Sequence, residues 1–259
     1  MGRALVTGAG KRLGRAMAIE LARQGHDVAV HYHSSAEEAD RVADEIRALG
    51  RDAVTLKADL LNEAEVTPLV GLAAEALGGP LTLLINSASI FEHDTVASAT
   101  RTSWDRHFES NLRAPFVLTQ ALAAQVPDPV MDENDEPLAQ GLVVNMIDQR
   151  VRKLTPEFMT YTLAKMGLWA FTRTAAQALA PRVRVNGIGP GPTLRAARQS
   201  EEHFAAQRAA TVLERGANTS DITGALAYFL AAPSVTGQLL CIDGGQHLCW
   251  QTPDVLGVE

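Results

Sequence analysis

The chain has 259 residues, of which 46% are hydrophobic and 20% charged, and its formal net charge at pH 7 is -7. A chain of this size and apolar content can bury roughly three quarters of the surface that its unfolded form exposes. The acidic balance disfavours a nucleic-acid partner, because phosphate binding needs clustered Lys and Arg.

The two cysteines, Cys241 and Cys249, lie too close together and too late in the chain to staple a fold, which favours a reducing compartment. No segment approaches the roughly 20 apolar residues that cross a bilayer, and no signal-like stretch precedes the first strand-like run. We therefore expect a cytoplasmic protein without a membrane partner.

Short apolar runs alternate with longer segments of helical periodicity. Strands are predicted at 4–7, 27–32, 53–57, 81–86, 142–146, 183–188 and 238–242, and helices end near 24, 49 and 77 or cover 103–125 and 157–180. This alternation is typical of parallel strands joined by helical crossovers. The sequence predicts an α/β fold, a single Rossmann-like, doubly wound parallel sheet of about seven strands with helices on both faces.

No linker divides the chain, so we expect one domain over residues 1–259. The segment 127–140 contains three prolines and five acidic residues, which predicts an exposed loop rather than a domain boundary.

A glycine-rich turn follows the first strand and opens the first helix. Glycines let the backbone turn tightly and approach a pyrophosphate at a helix N-terminus, and a merely structural turn is the alternative. The candidate cofactor residues of this turn are Gly8, Lys11, Arg12, Leu13 and Gly14.

The end of the second strand carries no carboxylate, which would bind the ribose 2′-hydroxyl of NAD and repel a 2′-phosphate. Arg12, Ser35 and His31 are candidates to surround a 2′-phosphate. The sequence therefore favours NADPH over NADH, unless these are only polar residues at a strand end. The candidates at this strand end are His31, Tyr32, His33, Ser34 and Ser35.

Tyr161 and Lys165 lie four residues apart, hence one turn apart on the same helix face. A phenol has an ordinary pKa of about 10, and a nearby cation lowers it by favouring phenolate. We predict that Tyr161 donates a proton while hydride arrives from the nicotinamide, and that Lys165 also holds the nicotinamide ribose.

These motifs resemble the short-chain dehydrogenase/reductase family, whose TGxxxGxG pattern matches residues 7–14 with Arg12 at the middle glycine. The resemblance implies that Asn111 anchors a water that passes protons to the lysine, although an ordinary helix asparagine is the alternative. It also implies a homo-oligomer, a tetramer. The further cofactor residues that it implies are Asp59, Leu60, Asn86, Ser87, Ala88, Pro190, Gly191 and Thr193, followed by a lid over 194–215 with Arg195 and Arg198.

Asp148 stands thirteen residues before Tyr161, where most family members place a serine. An ionised carboxylate cannot donate a hydrogen bond to a carbonyl, but it accepts from ring N–H groups and can relay a proton to a ring nitrogen. Imine reduction is the natural interpretation. Arg150 and Arg152, which follow, are expected in solvated loop, and no metal site is predicted.

Asp148, the segment TGAGKRLGRA, the segment HYHSSAEEA and Ser89-Ile90-Phe91 together resemble the pteridine reductase branch. That resemblance implies that Phe91 stacks on the pterin, while Ser89 and Arg12 contact the cofactor or the pterin edge. Two alternatives remain, a carbonyl reductase of 3-oxoacyl thioesters and a non-catalytic NADP-sensing protein.

Overall fold

A parallel sheet of seven strands forms the centre of the computed structural model, which describes residues 2–196 and 199–252. The strand order is β3-β2-β1-β4-β7-β8-β9, and every neighbouring pair is parallel. This confirms the predicted doubly wound α/β fold. The strands are β1 (Arg3–Val6), β2 (Asp27–Tyr32), β3 (Ala53–Lys57), β4 (Leu83–Asn86), β7 (Gly141–Met146), β8 (Val183–Pro190) and β9 (Leu239–Ile242).

Helices cover both faces of the sheet, which is why the central strands are continuous apolar runs. One face packs Met17, Ile46 and Phe229 from α1, α2 and α9 against the sheet. The other face packs Leu69 and Leu118 from α4 and α6, together with α7. The helices are α1 (Arg12–Arg23), α2 (Ala36–Ala48), α3 (Glu63–Val66), α4 (Leu69–Ala76), α5 (Arg101–Phe108), α6 (Ala114–Gln125), α7 (Met159–Leu179), α8 (Glu201–Ala209) and α9 (Thr219–Ala231). In residues 2–196 and 199–252, no helix has the length and apolarity needed to cross a membrane.

The chain winds outward from β1 to β2 and β3, and then returns to β4 on the other side of β1. The crossovers that leave β1 and β4 therefore diverge to opposite faces of the sheet. Such a switch point opens a crevice at the carboxyl ends of the strands, where ligands of doubly wound sheets bind.

Two elements differ from the sequence-based expectations. The helix predicted at 103–125 is interrupted by a π-helical turn, Glu109–Arg113, between α5 and α6. Pro115 has no amide hydrogen for the carbonyl of Asn111, four residues earlier, so a regular α-helical bond cannot form there. The segment 127–140, expected as a loop, contains a hairpin of β5 (Val130–Met131) and β6 (Pro137–Leu138), whose turn is closed by Asp132 Oδ1 accepting from the amides of Asn134 and Glu136.

Candidate active site

A cleft of about 490 Å³ opens at the carboxyl ends of β1 and β4, at the switch point. It runs from the glycine-rich turn to the first turns of α7, so it brings together residues that are far apart in the sequence. Its lining includes most of the residues singled out above: Gly8, Lys11, Arg12, Leu13, Gly14, Tyr32, His33, Ser34, Ser35, Ser87, Ala88, Ser89, Phe91, Asp148, Tyr161, Lys165, Pro190 and Gly191, together with Met146 and Ile147.

The glycine-rich turn depends on two of its glycines. Gly8 has a φ of 64°, a left-handed conformation that favours glycine. A Cβ on Gly14 would lie 2.3 Å from the carbonyl oxygen of Gly8, so only glycine lets α1 begin this close to the turn. Thr7 Oγ1 accepts hydrogen bonds from the amides of Ser87 and Ala88, at 2.9 and 3.0 Å, and so joins this turn to the end of β4.

His31 does not face the cleft, which corrects its assignment as a phosphate ligand. Its Nδ1 accepts a hydrogen bond from the amide of Gly8 at 3.0 Å, and its Nε2 lies 3.1 Å from the carbonyl of Ala58, to which it donates. The ring is 1% exposed, and burial lowers the pKa of His31 to about 4. His31 is therefore a neutral support beneath the turn.

Arg12 and Lys11 both line the cleft, but their side chains have different partners. The Arg12 guanidinium donates to the carbonyls of Leu194 and Arg195, at 2.9 and 2.8 Å, so it already bridges to the segment after β8. Arg12 also has a φ of 54° where the resemblance has glycine. The Lys11 ammonium lies 3.0 Å from Glu38 on α2, whose N-cap is Ser35. Lys11, rather than Arg12, is thus the cation beside the Ser34-Ser35 end of the cleft.

Asp59 and Leu60, expected at the cofactor, lie after β3 and outside the cleft lining. Asp59 Oδ1 accepts from the amide of Leu61 at 3.0 Å, and Asp59 Oδ2 lies 3.8 Å from His33 Nε2. The Leu60 side chain is buried in the core, so only its backbone can meet a ligand.

Asn86 and Thr193, also expected at the cofactor, do not line the cleft, although Thr193 lines a smaller cavity that adjoins it. The Asn86 amide donates to Asn145 Oδ1 at 2.8 Å, because the side chain turns along the sheet toward β7 instead of into the cleft. Thr193 is buried, and its hydroxyl donates to the carbonyl of Gly191 at 3.1 Å. These two contacts hold the backbone that surrounds the cleft.

Tyr161, Asp148 and Lys165 converge at the inner end of the cleft. The Tyr161 hydroxyl donates to Asp148 Oδ2 at 2.9 Å, and Asp148 Oδ1 accepts from the amide of Arg150 at 2.8 Å. Lys165 Nζ is buried and donates to the carbonyl of Met146 at 2.7 Å. Tyr161 and Lys165 lie on α7, and Asp148 follows β7, so the strand and the helix that packs beside it set this geometry.

The protonation states of these groups follow from burial and from Asp148. Burial raises the pKa of Asp148, against the opposing effects of the Arg150 amide and the Tyr161 hydroxyl. Burial, and then the charge of Asp148, raise the pKa of Tyr161 well above 10. Burial lowers the pKa of Lys165 to about 8, although Asp148 opposes this.

The direction of the Tyr161 shift is opposite to the sequence-based expectation that Lys165 lowers it. The main reason is burial, which raises the pKa of Tyr161, and the charge and hydrogen bond of Asp148 raise it further. Tyr161 is therefore held as a neutral hydrogen-bond donor at neutral pH.

Asn111 is fully buried in the π-helical turn, and its side chain is already used. Asn111 Oδ1 accepts from the amide of Ile90 at 2.9 Å, and its Nδ2 donates to the carbonyl of Ile90 at 2.8 Å. The main-chain carbonyl of Asn111 receives no α-helical hydrogen bond from residue 115, because proline has no amide hydrogen.

An aromatic stack beside Tyr161 includes two residues that the sequence analysis did not assign to the site. Phe91 stacks on Phe158 with ring centroids 4.4 Å apart and lies 4.6 Å from the Tyr161 ring. The Arg150 guanidinium lies 5.1 Å above Phe158, so Arg150 is not in solvated loop as expected, whereas Arg152 is exposed. Phe158 is the N-cap residue of α7 and has a φ of 58°, so helical spacing from Tyr161 does not predict its stack on Phe91; nothing in the sequence places Arg150.

A smaller cavity of about 180 Å³ adjoins the cleft at Arg12, Phe91 and Asp148. Its other walls come from Gln149, Arg150 and the segment after β8, which the sequence analysis expected to act as a lid. Arg195 is exposed and donates to the carbonyl of Gln199 at 2.7 Å. Arg198, the other lid arginine, lies outside the described residues.

Comparison with known proteins gives similarity over nearly the whole chain. A family profile described as enoyl-(acyl carrier protein) reductase matches residues 8–247. An oxidoreductase of Mycobacterium tuberculosis, MT0954, is 35% identical over 93% of this chain and 90% of its own length. The 3-oxoacyl-[acyl-carrier-protein] reductase FabG of Staphylococcus aureus is 29% identical over 95% of this chain and 98% of its own length.

Among solved structures, FolM alternative dihydrofolate reductase 1 from Brucella suis, crystallised with NADP, is similar to this chain with a TM-score of 0.90. It is 43% identical, and the alignment covers 98% of each chain. A short-chain dehydrogenase from Burkholderia cenocepacia, also crystallised with NADP, is 32% identical over 95% of this chain and 97% of its own, with a TM-score of 0.84.

Proposed function

Because the chain belongs to the short-chain dehydrogenase/reductase family, we propose that it uses NADPH to reduce a ring imine of the dihydropterin class. The observation that carries this proposal is the 2.9 Å hydrogen bond from the Tyr161 hydroxyl to Asp148 in the cleft. An ionised carboxylate at this position accepts from ring N–H groups and cannot donate to a carbonyl oxygen.

The walls of the cleft fit a dinucleotide phosphate. The Gly8 turn and the N-terminus of α1 suit a pyrophosphate, because helix amides and the dipole stabilise anions. Lys11, Ser34 and Ser35 supply a cation and two hydroxyls for a 2′-phosphate at the cleft's outer end. The crystallised NADP complex of the similar Brucella protein supports the same choice. When bound, NADPH supplies the hydride.

Tyr161 is the proton donor in this proposal. Its raised pKa keeps the phenol protonated at neutral pH, so the proton is present when a ring nitrogen gains charge. Lys165 remains mostly charged below its pKa of about 8, and its ammonium is buried close enough to stabilise the negative charge left on the Tyr161–Asp148 pair.

Asp148 has two tasks, to orient the substrate and to return the proton. One carboxylate oxygen holds Tyr161 and the other holds the Arg150 amide, which fixes the plane of the group. Because burial raises its pKa, Asp148 can take a proton from solvent and pass it to Tyr161 after each turnover. The bond that forms is N–H on the substrate, and the proton comes from Tyr161.

The aromatic stack supports a planar substrate. Phe91 lines the cleft beside Tyr161 and is 37% exposed, and its ring is held by Phe158. Offset stacking on such a ring contributes about 0.5–1.5 kcal/mol beyond area burial. The similarity to FolM proteins supports a pterin-related ring in particular.

Steady-state oxidation of NADPH with 7,8-dihydrobiopterin tests the proposal. We expect turnover by the wild type, loss by Tyr161→Phe, and a large loss by Asp148→Ser, which removes the acceptor for ring N–H groups but restores the hydroxyl typical of ketone reduction. The matched control is Asp128→Ser, an exposed carboxylate remote from the cleft. Two results together would contradict the proposal. The wild type would reduce only an acetoacetyl thioester, and Asp148→Ser would improve that activity slightly or not at all.

A second candidate function is reduction of 3-oxoacyl thioesters. It is favoured by the FabG relatives, which align over 95% of this chain. In that case Asp148 must act in its protonated form, as a donor to the ketone, and the raised pKa of Asp148 is the feature in its favour. Thioester turnover would then rise as pH falls, whereas orientation of ring N–H groups needs the ionised carboxylate.

We also propose that the protein is a homotetramer. The half-buried aromatic rings of Phe116 and Phe171 meet on α6 and α7 with centroids 5.0 Å apart, and Trp169 lies beside them. Half-buried aromatic residues of this kind are enriched at subunit interfaces. Sedimentation equilibrium tests the assembly, and a monomer at micromolar concentration would contradict it.

A further inference from the structure

Three buried polar side chains lie behind the candidate active site and have no part in the mechanism above. Asp94 follows β4, His107 is on α5, and Thr160 is in the first turn of α7, immediately before Tyr161. They are 3%, 0% and 1% exposed. Burying such groups is costly unless each is hydrogen-bonded, so their contacts must be explained.

The three side chains form one hydrogen-bond network, in which the donor and the acceptor of each bond are fixed. The Glu92 amide donates to His107 Nε2 at 3.1 Å, so the proton of the neutral ring is on Nδ1. His107 Nδ1 lies 2.7 Å from Thr160 Oγ1 and donates to it, and the Thr160 hydroxyl donates to Asp94 Oδ2. Each donor in this network has one acceptor within it.

Asp94 also substitutes for a missing helix cap. The N-cap position of α7 is Phe158, which has a φ of 58° and makes no side-chain cap bond. Asp94, in another segment, supplies acceptors for the first two amides of α7. Its Oδ1 accepts from the Thr160 amide at 3.1 Å, and its main-chain carbonyl accepts from the Met159 amide at 3.2 Å. The carboxylate therefore anchors the turn of α7 that contains Tyr161.

The same hydrogen-bond network anchors the segment that contains Phe91. Successive contacts hold Ile90 through Asn111, Glu92 through His107 and Asp94 through Thr160. Phe91 lies between these anchored residues, with its ring centroid 4.6 Å from that of Tyr161. The network thus connects the aromatic ring and the proton donor through buried bonds on the side away from the cleft.

We propose that Asp94, Thr160 and His107 are positioning residues that fix Phe91 and Tyr161 at the separation needed for proton transfer to a stacked ring, and that they do so only while His107 is neutral. This inference rests on the proposed function. A protonated His107 would direct an N–H at the Glu92 amide hydrogen, so that bond would be lost and the Phe91 segment would loosen.

The groups around His107 act in both directions on its charge. Burial lowers the pKa of His107, whereas Asp94 and Glu92 raise it, Arg106 lowers it, and the carbonyl of Ser103 raises it. The neutral ring of Tyr161 lies 5.9 Å away, edge to face. Hydrogen bonds from Thr160 lower the pKa of Asp94 despite its burial, so the Asp94 carboxylate at the end of the network is ionised.

Thr160→Val tests the network, because it keeps the shape of the side chain and removes the hydroxyl. We expect kcat/KM for the ring substrate to fall about 10- to 100-fold, the range that a displacement near 1 Å produces. The Kd of NADPH should stay within about twofold, because no group at the cofactor end of the cleft is altered. A twofold change is small on a scale where about 1.4 kcal/mol is a tenfold change in Kd. Thr160→Ser keeps the hydroxyl and should recover most of the loss.

Hydrogen exchange of the Glu92 and Met159 amides supplies a measurement that needs no substrate. We expect protection in the wild type and Thr160→Ser, and loss of protection in Thr160→Val. Protection of Glu92 in the wild type should fall at acid pH, after correction for intrinsic exchange. In His107→Gln, whose amide oxygen can accept without titrating, protection should depend less on pH.

Two results would overturn the inference. One is Thr160→Val with unchanged kcat/KM and a protected Glu92 amide. The other is a parallel loss of melting temperature, NADPH binding and kcat/KM, which indicates a general structural defect. Failure of the proposed function has a different signature, namely no pterin turnover by the wild type; the kinetic comparison then uses the acetoacetyl thioester, and the exchange comparison is unaffected.

Discussion

Acidification should destabilise the protein through His31, the buried ring beneath the glycine-rich turn. His31 accepts from the Gly8 amide and donates to the Ala58 carbonyl, which only the neutral ring can do. Burial lowers the pKa of His31 from 6.5 to about 4. The unfolded chain therefore binds a proton below pH 6.5 that the folded chain refuses until about pH 4, and stability falls as pH falls through that window.

The magnitude follows from the two pKa values. A shift of one pKa unit corresponds to about 1.4 kcal/mol, so the ring contributes a loss of about 2 kcal/mol between pH 7 and pH 5 and about 3 kcal/mol by pH 4. Losses of this size are a large fraction of the 5–15 kcal/mol that typical domains possess.

Urea unfolding followed by circular dichroism at pH 7, 6, 5 and 4 measures the effect without cofactor. His31→Gln keeps a donor and an acceptor but cannot titrate, so its free energy of unfolding should change by about 3 kcal/mol less than the wild type's between pH 7 and pH 4. His33→Gln is the matched control, because His33 is two residues away and exposed. Parallel pH dependence of wild type and His31→Gln would refute the reasoning.

Three further predictions concern the cleft. Glu38→Gln should tighten NADPH binding about two- to fivefold in a fluorescence titration and leave NADH binding unchanged, because the exposed carboxylate of Glu38 no longer competes for Lys11; equal effects on both cofactors would contradict it. Turnover should decline as pH rises through about 8, where the buried Lys165 loses its proton, and a rate that is flat from pH 7 to pH 9 would show that its charge is not needed. Gly14→Ala should destabilise the protein by about 1–3 kcal/mol, the usual cost of overpacking, measured by urea unfolding; Gly71→Ala, where a Cβ meets nothing within 4 Å, is its control.

The sequence predicted the sheet well because buried parallel strands are continuous apolar runs and their crossovers have helical periodicity. Tyr161 and Lys165 were placed together by their helical spacing, and Asp148 was placed near them because it follows the strand that precedes their helix. Side-chain direction was harder to predict. His31 and Asn86 stand at the expected edge, yet each turns toward a partner distant in the sequence that becomes a neighbour only when the chain folds. Thr193 instead bonds within its own turn, to the carbonyl of Gly191 two residues earlier.

The electrostatics of the site were also beyond the sequence. The spacing of Tyr161 and Lys165 predicts proximity, but the sign of the Tyr161 pKa shift depends first on burial and then on the contact with Asp148, and the spacing shows neither. Asn111 was found by position, whereas its bonds to Ile90 depend on the π-helical turn that Pro115 imposes. The stack of Arg150 on Phe158 had no signal in the sequence, because Phe158 precedes α7 in a left-handed conformation.

The contacts of Arg12 have a consequence for the rate of exchange of ligands, as distinct from their affinity. Its guanidinium joins the glycine-rich turn to Leu194 and Arg195, which are 182 and 183 positions later in the chain, at the boundary between the cleft and the adjoining cavity. Both bonds are exposed, so water competes with them and each contributes only modestly to stability. We expect the opening of these two bonds to be one step in passage across this boundary, so that they lengthen residence times in the site and departure of product can set the turnover rate.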